Sequence, residues 1–123
     1  MRKYLRNLAA ALIAVTLSGM AAAPALAHAV IVSAAPTADQ QVAPGKLAIR
    51  LEFNSRIDKE RSRLQLIASD GAKADVPIDQ TGEPNIITGT TAELAAGAYV
   101  LRWQVLAIDG HITRGDIPFK VAN

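Results

Sequence analysis

The sequence predicts an all-β fold, and three observations carry that expectation. Several short runs place apolar residues at every second position, which is the period of a half-buried strand. Turn-forming pairs, Pro44-Gly45, Asp70-Gly71, Gly82-Glu83-Pro84 and Ala96-Gly97, separate those runs. No internal repeat, low-complexity tract or second domain interrupts them. About seven short strands at this spacing point to a two-sheet sandwich or a Greek-key barrel.

The strands follow in order. Ala29–Ser33 is a short first candidate. Lys46–Phe53 alternates cleanly, with Leu47, Ile49, Leu51 and Phe53 on one face and Lys46, Arg50 and Glu52 among the other set. Asn54–Arg61 admits one helical turn, too short for its pattern to decide, and Asp58, Lys59, Glu60 and Arg61 in it read as a solvated face. Arg63–Ala68 resumes the alternation through Leu64 and Leu66. Lys73–Ile78 and Asn85–Thr90 are shorter candidates. Tyr99, Leu101, Trp103 and Val105 line one face of a long strand that shows Arg102 and Gln104 on the other. Ile117, Phe119 and Val121 make a last strand. Pro118 cannot donate to a ladder, so this strand is expected at an edge or with a bulge. Tyr99, Trp103 and Phe119 are expected in the core.

The first 27 residues have the form of a cleavable signal peptide. Arg2, Lys3 and Arg6 form a positive n-region, Leu8–Leu17 an apolar h-region, and Ala25-Leu26-Ala27 an A-x-A site. The apolar stretch is short and rich in alanine for a transmembrane anchor. A cut after Ala25 competes with one after Ala27; a cut after Ala23 would leave Pro24 at the new N-terminus. The expected organisation is a signal peptide over residues 1–27 and one domain over 28–123, exported to the periplasm and not membrane-spanning once cleaved.

Cleavage changes what the composition means. Removing 27 of 123 residues leaves 96, a single small domain. The leader takes three of the 13 basic residues and no acidic one, so 10 face 11 acidic residues and the formal charge is −1. The isoelectric point of about 9.2 therefore belongs largely to the precursor. No basic run with interleaved aromatics follows, so no nucleic-acid partner is expected. Met1 and Met20 leave with the leader and the chain has no cysteine. A disulfide framework is impossible, and any metal site must use nitrogen and oxygen donors.

Only two histidines occur, and both sit where a metal site could be built. His28 would become the first residue after cleavage, and His111 closes Asp109-Gly110-His111. The amine and Nδ1 of an N-terminal histidine can chelate one ion in a six-membered ring. In an extended segment Asp109 and His111 would face the same way. Three nitrogens and one carboxylate oxygen suit the tetragonal preference of Cu(II), whereas Cu(I) prefers sulfur. The competing reading of Asp109-Gly110 is an ordinary hairpin turn like Asp70-Gly71, with His111 a surface histidine.

At these residues the chain resembles the CopC copper-resistance proteins. His28-Ala29-Val30 through Ser33 to Pro36 is similar to their opening, and Leu47–Phe53 to their second strand. The block Gly97–Val105, running into Asp109-Gly110-His111 and on to Gly115, Phe119 and Val121, resembles their Gly-x-Tyr-x-x-x-Trp strand, Asp-Gly-His loop and closing strand. The resemblance implies an immunoglobulin-like Greek-key β-sandwich or barrel. It implies periplasmic Cu(II) binding in copper homeostasis or resistance, no enzymatic activity, and His28, Asp109 and His111 as metal ligands. It also implies a partner of the kind of a CopD-like inner-membrane copper transporter. Asn54-Ser55-Arg56 replaces the family's Ser-Glu-Pro-like segment, Ala107 stands where serine is usual, and the family's methionine-rich Cu(I) site is missing. Two other classes stay open: a copper-dependent oxidative enzyme built on an N-terminal histidine chelate, and an immunoglobulin-like interaction module that binds no metal.

Overall fold

The computed structural model describes residues 29–123; His28 and the expected signal peptide lie outside them. Eight strands and no helix are found among the described residues: β1 (Ile31–Ala35), β2 (Gln40–Val42), β3 (Gly45–Phe53), β4 (Ile57–Ala68), β5 (Lys73–Val76), β6 (Ile86–Leu94), β7 (Gly97–Ala107) and β8 (Ile112–Val121). They form an immunoglobulin-like sandwich of two sheets, ordered β1-β3-β6 and β2-β8-β7-β4-β5. The β4–β5 and β7–β8 connections are hairpins within one sheet. The other connections cross between the sheets.

The alternation read from the sequence is the alternation that buries the core. Ile49, Leu51 and Phe53 on β3 face Leu101, Trp103 and Val105 on β7 and Ile117, Phe119 and Val121 on β8 across the sandwich, and all are buried. Phe53 meets Trp103 edge to face at 5.4 Å between ring centroids, a favoured aromatic geometry. Gly115 lies opposite Trp103 in the β7–β8 register. A Cβ there would come within 2.4–2.7 Å of three indole atoms, so the absence of a side chain is what admits the ring.

Several expectations are revised. An eighth strand, β2, is only three residues long and pairs parallel to the end of β8, too short for a period-2 signal. β8 begins at Ile112, five residues before the expected Ile117. Tyr99 sits at the rim rather than in the core. Its ring stacks on Phe119 and its hydroxyl donates to the Ala95 carbonyl at 2.8 Å, the tie from a strand start back to the preceding corner that immunoglobulin-like sandwiches use. Residues 57–61 form strand, not a helical turn.

Where a helical turn was expected over Asn54–Arg61, the chain instead forms a bulge after Asp58. Asp58 pairs with Leu106 and Arg63 with Gln104, so five steps along β4 face two along β7. The extra residues fold on themselves: Asp58 accepts from the Arg61 backbone N–H, and Ser62 Oγ donates to the Asp58 carbonyl at 2.7 Å. Ser62 Oγ also accepts the Leu106 N–H, standing in for the ladder carbonyl that the bulge removes. Lys59 is turned inward by this bulge, not solvated, and its Nζ donates to the Thr81 carbonyl.

Pro118 sits where the pattern allowed it. β2 covers only Phe119–Val121, leaving the outer edge of β8 unpaired over Ile112–Ile117 among the described residues. The Pro118 carbonyl accepts from Asp39 N–H on that outer side. A strand residue's N–H and C=O share a side, so the missing N–H costs no bond to β7.

Candidate metal centre

The β7–β8 hairpin carries Asp109 and His111. The Gly110 N–H donates to the Ala107 carbonyl and the Ala107 N–H to the His111 carbonyl, both at 2.8 Å. Gly110 adopts φ +94°, the left-handed conformation that a bulged hairpin needs and that glycine takes without steric cost. Asp109-Gly110 is therefore a turn, and the extended segment expected there does not form. Asp109 and His111 converge all the same, by a different route. One carboxylate oxygen of Asp109 accepts the His111 backbone N–H at 3.1 Å, an Asx turn. The other lies 3.2 Å from His111 Nδ1. The turn and the pairing of Asp109 with His111 are one device.

The electrostatics follow from that geometry. The backbone N–H of His111 beside Asp109 is the main reason its carboxyl is held below the usual carboxylate range, with the imidazole adding to it. Asp109 is thus an anion at neutral pH. A carboxylate has about four lone-pair positions, and His111 uses two. With Nδ1 turned to Asp109, Nε2 faces the opposite side of the ring. Both side chains reach solvent, at 33% exposure for Asp109 and 51% for His111. No third histidine, cysteine or acidic residue joins them among the described residues.

The loop between β3 and β4, residues 54–56, is the platform beneath this turn. Arg56 accepts the Ile108 N–H through its carbonyl at 3.0 Å. The same loop holds the start of the described chain: Asn54 N–H donates to the Val30 carbonyl at 2.9 Å, and Val30 N–H donates to Asn54 Oδ1 at 2.8 Å. Ala29, the next residue inward from His28, is buried in the core. Residues 29–30 and the turn 107–111 are therefore held by the same loop. His28 itself lies outside the described residues. Ser55 Oγ in the platform, and Thr113 Oγ1 two residues beyond His111, are buried without a hydrogen-bond partner. Neither Asn54 nor Arg56 was singled out as functional from the sequence. Their part is played by a carboxamide and a backbone carbonyl that acquire it only when the sheets meet.

A small two-sheet sandwich with an open Asp-Gly-His hairpin beside its incoming N-terminal strand defines the structural class. The CopC domain family matches residues 31–122, and this chain belongs to that family. Among solved structures it is similar to CopC from Methylosinus trichosporium OB3b, with 30% identity, a TM-score of 0.72, and coverage of 77% of this chain and 94% of that one. It shares its fold with PcoC, a methionine-rich copper resistance protein from Escherichia coli, at 24% identity, a TM-score of 0.66, and coverage of 77% and 99%. No curated protein sequence matches significantly.

Proposed function

We propose that this chain is a periplasmic Cu(II)-binding protein that carries copper in homeostasis or resistance, with copper as cargo and no reaction catalysed. Residues 1–27 are the leader, cut after Ala27, and residues 28–123 the copper-binding domain. The ligands are His28, through its amine and imidazole, with Asp109 and His111. The observation that supports this best is the shared platform. Residues 29–30 and the Asp109–His111 turn stand on the same three-residue loop, and one residue spans no more than about 3.8 Å from Cα to Cα. Membership of a family whose solved relatives include a copper resistance protein points the same way.

The donor chemistry agrees. Asp109 is ionised and keeps two lone-pair positions, and its contact with His111 Nδ1 holds the two side chains side by side, a contact that copper would replace when both turn to the one ion. His28, Asp109 and His111 together fill four positions of a tetragonal Cu(II) plane. That leaves no equatorial position for oxygen or a substrate, which favours a carrier over an oxidative enzyme. A CopD-like membrane transporter is the expected recipient or source of the ion. Mass spectrometry of the exported protein, with and without one equivalent of Cu(II), tests the reading. A mass beginning at His28 and one bound copper are expected. A chain that begins elsewhere, or takes no copper when it begins at His28, refutes it.

A further inference from the structure

The β1–β3 ladder ends at Ile31 opposite Phe53, yet the chain is held one residue further toward its N-terminus. Beyond Phe53 the backbone leaves its sheet to cross to β4, so its carbonyls no longer serve as a strand's would. At Val30 the acceptor is instead the side chain of Asn54, at 2.8 Å, while the Asn54 backbone N–H donates to the Val30 carbonyl at 2.9 Å. One residue thus grips Val30 on both of its polar groups. Packing anchors Ala29, which is buried in the core, whereas Val30 itself is 53% exposed and is held through its backbone by Asn54. Two residues on, Arg56 holds Ile108 of the turn that carries Asp109 and His111.

We infer that Asn54 is a positioning residue for copper: its carboxamide oxygen fixes the entry of the N-terminal strand at Val30, on the same loop that carries the Asp109–His111 turn. The inference rests on the copper reading above. It requires an acceptor at the reach of an Asn or Asp side chain. Leucine has the size but no acceptor, whereas aspartate keeps the acceptor and the reach.

The test uses the processed protein as wild type, Asn54→Leu and Asn54→Asp. Cu(II) affinity is read by chelator competition, following quenching of Trp103, the single tryptophan of the chain. Electron paramagnetic resonance reports the donor set, and hydrogen exchange reports the Val30 amide. Asn54→Leu is expected to bind about fivefold to tenfold more weakly, the equivalent of one lost hydrogen bond. It should show a second spectral component with fewer nitrogen donors and rapid Val30 exchange. Asn54→Asp should keep a single wild-type-like spectrum, a protected Val30 amide and at least wild-type affinity. Fast Val30 exchange in Asn54→Leu with unchanged affinity and spectrum overturns the inference. Equal Val30 exchange in wild type and Asn54→Leu overturns it as well. A wild-type protein that takes no copper overturns the copper reading instead, and the exchange data then judge the clamp alone.

Discussion

Replacing Gly115 by alanine should destabilise the fold through one contact, Trp103. The added Cβ would lie 2.4 Å from Cζ2, 2.5 Å from Cε2 and 2.7 Å from Nε1 of the indole, where carbon contacts settle near 3.5–4.0 Å. The ring must therefore retreat by about 1 Å. It has little room to do so, since Phe53 packs against it edge-on and both residues are buried. Overpacking of this kind costs about 1–3 kcal/mol. Loss of glycine's freedom in the unfolded chain returns about 0.4–1 kcal/mol. A net loss of about 1–2 kcal/mol should lower the melting temperature of a domain this size by roughly 5–15 °C. Thermal unfolding followed by circular dichroism measures it. A double-mutant cycle assigns the cause, because Trp103→Phe shortens the ring and should remove most of the penalty of Gly115→Ala. A melting temperature for Gly115→Ala within about 1 °C of wild type would refute the close-packing argument. A cycle with no coupling would show that any loss arises elsewhere.

Three further outcomes are expected. His111→Ala and Asp109→Ala should each weaken Cu(II) binding and alter its paramagnetic spectrum, with His111→Ala the larger loss. Asp70→Ala, at the other Asp-Gly turn, removes an acceptor for Ala72 N–H and should leave copper affinity unchanged. In the acid range, Asp116 is held below the usual carboxylate value chiefly by its hydrogen bonds to Arg102. A depressed folded value means a contribution present above about pH 3.9 and lost as pH falls through the folded value. Asp116→Asn, measured by urea unfolding, should therefore differ from wild type by under about 1 kcal/mol at neutral pH, with the gap closing toward pH 2. Finally, free Cu(II) at about 100 times the dissociation constant should stabilise the processed protein by roughly 2.7 kcal/mol, a melting rise on the order of 10–20 °C. Calorimetry should find that rise abolished in His111→Ala.

The strands that could be read from the sequence were those whose inward faces are long and regular. Ile49-x-Leu51-x-Phe53 and Leu101-x-Trp103-x-Val105 announce their burial because a strand's two faces alternate and only one meets the core. Gly110 and the Asp-Gly pairs announce turns for an equally local reason. The failures are equally physical. A helical turn was expected over Asn54–Arg61, and only the pairing of β4 with β7 turns part of that segment, from Asp58 on, into a strand with a bulge. Lys59 reads as solvated until that bulge turns it onto the Thr81 carbonyl.

The candidate site divides along the same line. Residue type and order alone marked Asp109 and His111, because few side chains offer nitrogen or carboxylate donors and this chain has just two histidines. That Asp109 grips His111 at both backbone and ring, in a turn rather than a strand, was decided by the hairpin. That residues 29–30 and 107–111 stand on one loop was decided by the sandwich, which brings together positions some eighty residues apart in the chain. Periodicity is a property of neighbours along the backbone, whereas such convergence depends on which strands pair and in what register. The sequence could name candidate donors, but only the closing of two sheets over one core could set residues 29–30 and the 107–111 turn on one loop.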